Sequence, residues 1–344
     1  MNVTLKILDQ GLLTTVQDLG RNKFQQFGVS GSGVMDEMAA RIANVLIGNA
    51  ENDAVLELTI IGPTIQFEHG CVIAICGADL SATIDHQPIP LWRPIYVKEG
   101  AILRFGRPIQ GCRVYLAVAG GIDVPIVMNS RSTYSRGRFG GYNGRPLQRG
   151  DVIKCSPHYS SMTNKLLSYF KRRINASSYM TVNWTIPFFF SSYVNNHHEI
   201  NFIKGPQFAQ FTKEAVAKFE SASYTVSPNS DRMGYRMKGP ALQLAAPQDL
   251  LSEAVPKGTI QVPEDGQPIV LMSDRQTIGG YPKIGYVATI SMPSLAQVMP
   301  GEKLTFKRIS IETAQNELIK REREFLLLKT SLALKIRGLS YATN

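Results

Sequence analysis

Long hydrophobic runs are missing from this sequence. No apolar stretch approaches the roughly 20 residues that a membrane-spanning helix needs, and the opening Met1-Asn2-Val3-Thr4-Leu5-Lys6 has no signal-peptide core. A cytoplasmic protein without membrane attachment is therefore the expectation. Cysteine is scarce too: Cys71, Cys76, Cys112 and Cys155 form no Cys-x-x-Cys pair and sit mostly in apolar, strand-like runs. They are expected as reduced, buried packing residues. Among the 5 histidines, the adjacent pair His197-His198 lacks the i, i+4 spacing that puts two ligands on one helix face, so no metal site can be argued. There is no Gly-Lys-Ser/Thr phosphate loop and no Gly-x-Ser-x-Gly nucleophile elbow. Gly31-Ser32-Gly33-Val34-Met35-Asp36 starts like a dinucleotide fingerprint, but it carries Asp in place of the third glycine and no parallel βαβ pattern surrounds it. If ATP is used, it is not bound in a familiar way.

What remains is an ordinary globular composition, 344 residues with 44% hydrophobic and 19% charged, enough for about two domains of roughly 150 residues. The net charge of +10 raises the question of nucleic acid. Its distribution argues against it. Part lies in Lys165 and Lys171-Arg172-Arg173, and part in Lys320-Arg321-Glu322-Arg323-Glu324, where mixed signs describe a solvated helix face. The rest is Arg131, Arg136, Arg138, Arg145 and Arg149, threaded through a glycine-rich stretch with no acid until Asp151. That stretch could grip a carboxylate or phosphate, or be a solvated loop. No stacking aromatics alternate with these arginines as a single-strand platform requires.

The periodicity is mainly β. Val3 to about Cys155 reads as short β-branched and apolar runs cut by Gly, Pro and Asp turns, such as Val72-Ile73-Ala74-Ile75 and Val114-Tyr115-Leu116-Ala117-Val118. One helix interrupts it, capped by Asp36, with Met38, Ile42, Val45 and Leu46 at helical spacing and Gly48-Asn49 as the stop. A second short helix is expected from Gln210 to Ser221, and a long one after Ser310 to about Leu334. The first half echoes in the second. Leu56-Glu57 leading to Gly62-Pro63-Thr64-Ile65-Gln66-Phe67 returns as Ser252-Glu253 leading to Gly258-Thr259-Ile260-Gln261-Val262. Asp85-His86-Gln87-Pro88 returns as Asp265-Gly266-Gln267-Pro268, and Gly100 to Phe105 as Gly301 to Phe306. Blocks in the same order suggest two copies of one fold. The expected division is a first β-barrel repeat over 1–155, a polar connection over 156–198, a second repeat over 199–310 and a helical tail over 311–344.

Two segments of the second repeat concentrate chemistry. Ser230-Asp231-Arg232-Met233-Gly234-Tyr235-Arg236 packs an acid, two arginines and a phenol beside a glycine, and Asp274-Arg275-Gln276-Thr277-Ile278-Gly279-Gly280-Tyr281-Pro282-Lys283 does the same around a Gly-Gly turn. On composition alone these could equally be salt-bridged loops. These segments, with Gly205-Pro206-Gln207, Ser252-Glu253, Gly258-Thr259-Ile260-Gln261-Val262-Pro263 and Leu295-Ala296-Gln297, resemble the allophanate hydrolase subunit 2 family, also known as the biotin-dependent carboxyltransferase-like family. The first half carries the resemblance through Thr14-Thr15-Val16-Gln17-Asp18-Leu19-Gly20-Arg21, Gly77-Ala78-Asp79, Val118-Ala119-Gly120-Gly121 and Ser130-Arg131-Ser132-Thr133. Where the family usually has Gly before that last motif this chain has Asn129, which tolerates left-handed backbone angles.

The resemblance implies two cyclophilin-like β-barrel repeats with a few short helices and a C-terminal helix. It also implies work with a subunit 1-like partner, of the type of the 5-oxoprolinase B component or the Kip kinase inhibitor. For free-standing bacterial members of this size the implied activity is that of the C component in ATP-dependent opening of 5-oxo-L-proline to L-glutamate, together with a ring-opening A component. Two alternatives come with the family: a regulatory antagonist that sequesters a subunit 1-like kinase inhibitor, and the carboxyltransferase part of a urea or allophanate-type biotin enzyme. Met237-Lys238-Gly239 is not the Met-Lys-Met site of a biotin carrier, so biotin could enter only on a separate carrier protein. The site implied on this chain has Asp231, Tyr235 and Lys283 as catalytic groups, with Arg232, Arg275, Gln276 and Tyr281 around the substrate. Gln17 and Glu57 are further substrate-binding candidates, and Arg131, Ser132 and Thr133 form an anion-binding loop. Fixed Arg, Gln and Tyr donors suit a planar amide or lactam, because they can stabilise charge developing on its carbonyl oxygen.

Overall fold

The computed structural model describes residues 3–195, 198–246 and 250–339, so His197, the end of the expected connection at 196–197 and the end of the tail at 340–344 lie outside the described residues. The chain forms two compact units. One gathers Met1–Gly20, Asp36–Val194 and Glu324–Asn344; the other gathers Arg21–Met35 and Asn195–Arg323. Among the described residues no helix is long and apolar enough to cross a membrane.

The first unit carries β1 (Thr4–Asp9), β2 (Leu13–Gln17), β3 (Val55–Thr59), β4 (Thr64–Phe67), β5 (Cys71–Asp79) and β6 (Thr83–Ile84). It continues with β7 (Gln87–Pro88), β8 (Ile95–Val97), β9 (Ile102–Arg104), β10 (Gln110–Val118), β11 (Val152–Lys154) and β12 (Tyr179–Thr181). They sort into two six-stranded sheets, β11-β1-β4-β9-β6-β7 and β12-β8-β5-β10-β3-β2. Period-two alternation decides which side chains meet between them. Leu5, Ile7, Ile65, Phe67 and Leu103 of one sheet share a core with Leu56, Leu58, Ile73, Ile75, Val114 and Leu116 of the other. The opposite face of β3 and β10 holds Glu57, Arg113 and Tyr115, all buried. Helix α1 (Glu37–Leu46) packs on β5 and β10 and starts where expected, with the Asp36 Oδ1 accepting from Ala39 N–H at 3.0 Å. Within the polar segment a further helix forms, α2 (Ser161–Arg173), capped by Ser160 and buried through Thr163, Leu166 and Phe170. All four cysteines are buried free thiols.

In the second unit the strands are β13 (His198–Lys204), β14 (Ser223–Val226), β15 (Gly234–Lys238), β16 (Glu253–Ala254) and β17 (Thr259–Gln261). They are followed by β18 (Ile269–Leu271), β19 (Ile278–Gly279), β20 (Lys283–Val287) and β21 (Lys303–Arg308). Seven of them close a barrel in the order β13-β20-β17-β18-β15-β14-β21, and β16 and β19 form a separate two-stranded ribbon. The barrel interior is aromatic: Phe219 lies 4.9 Å from Phe202 and 4.6 Å from Phe306, ring centre to ring centre. Helix α3 (Lys213–Ser221) contributes Phe219 and Ala215, close to the helix expected there, and α4 (Met292–Gln297) is buried almost throughout. The C-terminal helix α5 (Ile311–Gly338) runs from the second unit into the first, where Phe325, Leu328, Leu332 and Ile336 are buried at helical spacing.

The architecture is thus mainly β with few helices and a C-terminal helix, as expected; of the two expected barrels, the second closes with seven strands and the first is built as two six-stranded sheets. The internal echo does not carry over strand for strand. It matches β4 with β17 and β9 with β21, yet β4 and β9 are paired neighbours whereas β17 pairs with β18 and β20. The reason is local. Gly100 and Gly301 both adopt left-handed backbone angles just before a strand, at φ +81° and +91°, and such a turn recurs wherever a strand must begin after a reversal.

Candidate active site

The chemistry of the second unit collects around β16, β17, β19 and β20. The register of β17 and β20 sets Gln261 opposite Lys283, which places their side chains together on one side of the ladder. Lys283, 1% exposed, donates from Nζ to Glu253 Oε1 at 2.6 Å. Its backbone N–H donates to Gln207 Oε1 at 3.0 Å. Glu253 in turn pairs across the ribbon with Gly279. A Cβ on Gly279 would lie 2.5 Å from Gln261 Nε2, so glycine is what lets the Gln261 amide lie against this turn. Gln261 accepts from Gln276 Nε2 at 3.4 Å, while its own Nε2 is buried with no hydrogen-bond partner. Burial, and then the charge of Glu253, push the neighbouring Tyr286 phenol up.

Arg275 stands on the same loop, 7% exposed. Its Nε donates to Val255 O at 3.1 Å and Nη1 to Met272 O at 3.4 Å. No carboxylate pairs with it among the described residues. Burial pulls its guanidinium down to about 10, so it stays charged at neutral pH with an unanswered positive charge.

Arg232 is the contrast. Its Nε and Nη2 form a two-pronged pair with Asp274 at 2.9 and 3.1 Å, and Nη2 also donates to Gly33 O at 2.6 Å. This is a planar fork already matched to a carboxylate. Around it, Ser273 Oγ donates to Val34 O at 3.1 Å, and Lys257 Nζ to the Val34 and Met35 carbonyls at 3.2 Å each. The glycine motif at 31–36, which fails as a dinucleotide fingerprint, thus supplies backbone acceptors beside the Arg232–Asp274 pair.

The other sequence candidates fall elsewhere. Asp231 folds back on its own turn, Oδ1 accepting from Met233 and Gly234 N–H at 2.8 and 3.2 Å. Tyr235 is 2% exposed in the barrel core. Tyr281, 48% exposed, lines a separate surface cavity with Leu244, Glu264 and Asp265. In the first unit Gln17 donates to Thr15 Oγ1 and to Thr133 O at 3.1 and 3.2 Å. Glu57 Oε2 accepts from the Tyr115 hydroxyl at 3.0 Å, and burial and then the charges of Glu57 and Asp36 push that phenol far up. The Ser130–Thr133 loop closes on an acid of its own chain: Asp18 accepts from Ser130 Oγ and Ser132 Oγ at 2.6 Å and from Arg131 N–H at 2.5 Å. Thr133 Oγ1 donates to Val16 O at 2.9 Å. Arg145, from the arginine-rich stretch, forks onto Asp151 at 2.7 and 2.8 Å.

Sequence reasoning did not single out Glu253, Gln261 or Lys257 as site residues. The first two lie in family motifs, which was the signal available; the burial of Lys283, which calls for a counter-charge such as Glu253, shows only in the structure. Lys257 carries no such signal. Among the described residues no group of three or more His, Cys, Asp or Glu gathers as metal ligands.

Comparison with known proteins identifies the family. Residues 27–308 match the model of the carboxyltransferase domain, subdomain A and B. The chain is 37% identical to the C component of 5-oxoprolinase from Escherichia coli over 310 residues, covering 90% of this chain and 93% of that protein. Against the Haemophilus influenzae protein of the same name the identity is 34%, over 94% of this chain and 96% of the other. The crystal structure of Kluyveromyces lactis urea carboxylase superposes with a TM-score of 0.81 at 30% identity, over 98% of this chain, which spans 29% of that much longer one.

Proposed function

This chain belongs to the family of carboxyltransferase domains with subdomains A and B, and we propose that it acts as the C component of a 5-oxoprolinase that opens 5-oxo-L-proline to L-glutamate in an ATP-dependent reaction. The identity of 34–37% over nearly the whole length of two proteins so named supports that reading. On this reading the chain would be one member of a hydrolase complex, active only with a subunit 1-like (B) partner and a ring-opening A component, with ATP consumed in the assembly.

The observation that carries the site assignment is Arg275, a buried guanidinium with no carboxylate partner among the described residues. A substrate carboxylate, or the phosphoryl group of an activated intermediate, would supply the missing charge. The open Nε2 donor of Gln261 and the Gln276 amide would bind the lactam carbonyl oxygen, where negative charge grows as the ring opens. Lys283, with Glu253 as its partner, would carry the proton to the leaving nitrogen. Asp231, Arg232 and Tyr235, whose polar atoms already meet protein groups, would hold this arrangement in place.

A second reading rests on the urea carboxylase superposition: transfer of a carboxyl group to an amide nitrogen, with biotin delivered by a separate carrier. Both chemistries present a planar amide to the same donors, so the substrate decides. The test is ATP-dependent glutamate release from 5-oxoproline by this chain mixed with its B and A partners, each component omitted in turn. Turnover that vanishes without this chain supports the hydrolase reading. Unchanged turnover without it, with carboxyl transfer from carboxybiotin to urea when a carrier is supplied, would replace it.

A further inference from the structure

The first unit contains a cavity of about 570 Å³ that none of the residues assigned above lines. Its walls come from the turn before β5, from β8 and its continuation, and from α2. Tyr96 on β8 is 7% exposed, and its ring stacks on Phe170 of α2 at 6.1 Å. A Cβ on Gly70 would collide with the Tyr96 hydroxyl oxygen, so the bare backbone at Gly70 is what leaves room for that hydroxyl. Tyr159 brings a second phenol, and Leu167 and Lys171, one helical turn apart on α2, face the same space.

Most of the polar groups here are donors without acceptors. Neither the Tyr96 nor the Tyr159 hydroxyl has a hydrogen-bond partner among the described residues, and His69 Nδ1 is buried with none. Burial pushes both phenols up, so each keeps its proton at neutral pH. Two ammonium groups, Lys98 and Lys171, stand against the single carboxylate of Glu99, which is exposed. Lys98 already donates to the Asn175 carbonyl, which leaves Lys171 as the cation open to a ligand. The remaining wall is apolar, from Val3 and Leu167. Hydroxyls that face open space without a protein partner are ready to take a ligand's acceptor in place of water, and convergent donors in a partly apolar cavity of this size describe a small-molecule site.

We infer that this cavity binds a small organic anion, with a carboxylate or phosphate oxygen on the Tyr96 and Tyr159 hydroxyls and the Lys171 ammonium, and a planar apolar body against Val3 and Leu167. The site is independent of the reaction proposed for the second unit.

The test is isothermal titration calorimetry on the full chain with benzoate, phenyl phosphate and inorganic phosphate, repeated on Tyr96→Phe and Lys171→Ala. Tyr96→Phe keeps the ring and its stacking, and Lys171 is exposed on its helix, so both variants retain the fold; a thermal melt checks this. The expected result is saturable one-to-one binding of an aromatic anion, tighter than inorganic phosphate and weakened roughly tenfold in each variant by loss of one charge-assisted contact. Tighter benzoate assigns a carboxylate ligand, and tighter phenyl phosphate a phosphate monoester. Absent binding of either aromatic anion, or binding that neither variant weakens, overturns the inference.

Discussion

Replacing Arg275 by methionine should stabilise this protein while removing its function. The guanidinium is 7% exposed and has no counter-charge among the described residues, and burial lowers its pKa from the usual 12.5 to about 10. At about 1.4 kcal/mol per pH unit, that drop is a cost of roughly 3 kcal/mol for holding the charge in the folded state. The sign follows from protonation. The folded chain binds this proton less tightly than the unfolded chain, so the cost is fully present below pH 10 and fades as pH rises toward 12.5. Methionine keeps much of the length without the charge. It also strands two carbonyls, Val255 O and Met272 O, whose bonds at 3.1 and 3.4 Å are long and worth together about 1–2 kcal/mol. The net gain is about 1–2 kcal/mol, a rise in melting temperature of roughly 2–8 °C. Calorimetric melts at neutral pH measure it, with and without 5-oxoproline, which should raise the wild-type transition alone. A variant less stable than the wild type by more than about 1 kcal/mol would refute the reasoning, since it would mean that the protein itself answers the charge.

Four further substitutions probe the rest of the structure. Glu253→Gln removes the counter-charge of Lys283; because the Glu253 side chain is 55% exposed, the expected loss is only about 1–2 kcal/mol, read by urea unfolding, whereas turnover of the assembled complex should fall by a factor of about 100. Asp18→Ala unties Ser130, Arg131 and Ser132 together and should cost about 3 kcal/mol or more, with the 130–133 amides losing hydrogen-exchange protection. The Arg145 guanidinium beside Asp151 holds that carboxyl below its ordinary range, which adds stability above pH ~4 that is lost as the carboxyl protonates on acidification; Arg145→Ala should therefore move the acid-unfolding midpoint upward, and an unmoved midpoint would contradict the pairing. Phe325→Ala empties the contact beneath the Arg41 guanidinium, 4.2 Å from the ring centre, and should lower stability by about 3–5 kcal/mol in thermal melts.

Where one physical signal sufficed, the sequence was legible. Helix α1 follows from Asp36 before an apolar stripe, and α5 from a long periodic run after Ser310. The β-rich halves follow from alternation, and the buried cysteines from their apolar surroundings. Arg275, Gln276 and Lys283 were visible because they crowd one glycine-containing loop. Tyr235 looked equally chemical, but a phenol can be one more aromatic ring inside a barrel, and no local pattern tells the two apart. Helix α2 was hidden because it buries only Thr163, Leu166 and Phe170 and is polar elsewhere. Asp274 and Arg232 are 42 residues apart, and so is their mutual neutralisation; pairings at that separation leave no mark on a local pattern.

The exchange of segments between the two units has a consequence for biosynthesis. Residues Arg21–Met35 leave the ribosome early, yet the groups that grip them, Arg232, Lys257 and Ser273, follow about two hundred residues later; the Arg232–Gly33 contact spans 199 positions. The first unit has a mirror-image debt, since the helix residues Phe325, Leu328, Leu332 and Ile336 are translated only after every strand of the second unit. A nascent polypeptide stalled before Phe306 leaves the core of the second barrel open, and one stalled before Phe325 leaves the first unit without its helix contacts.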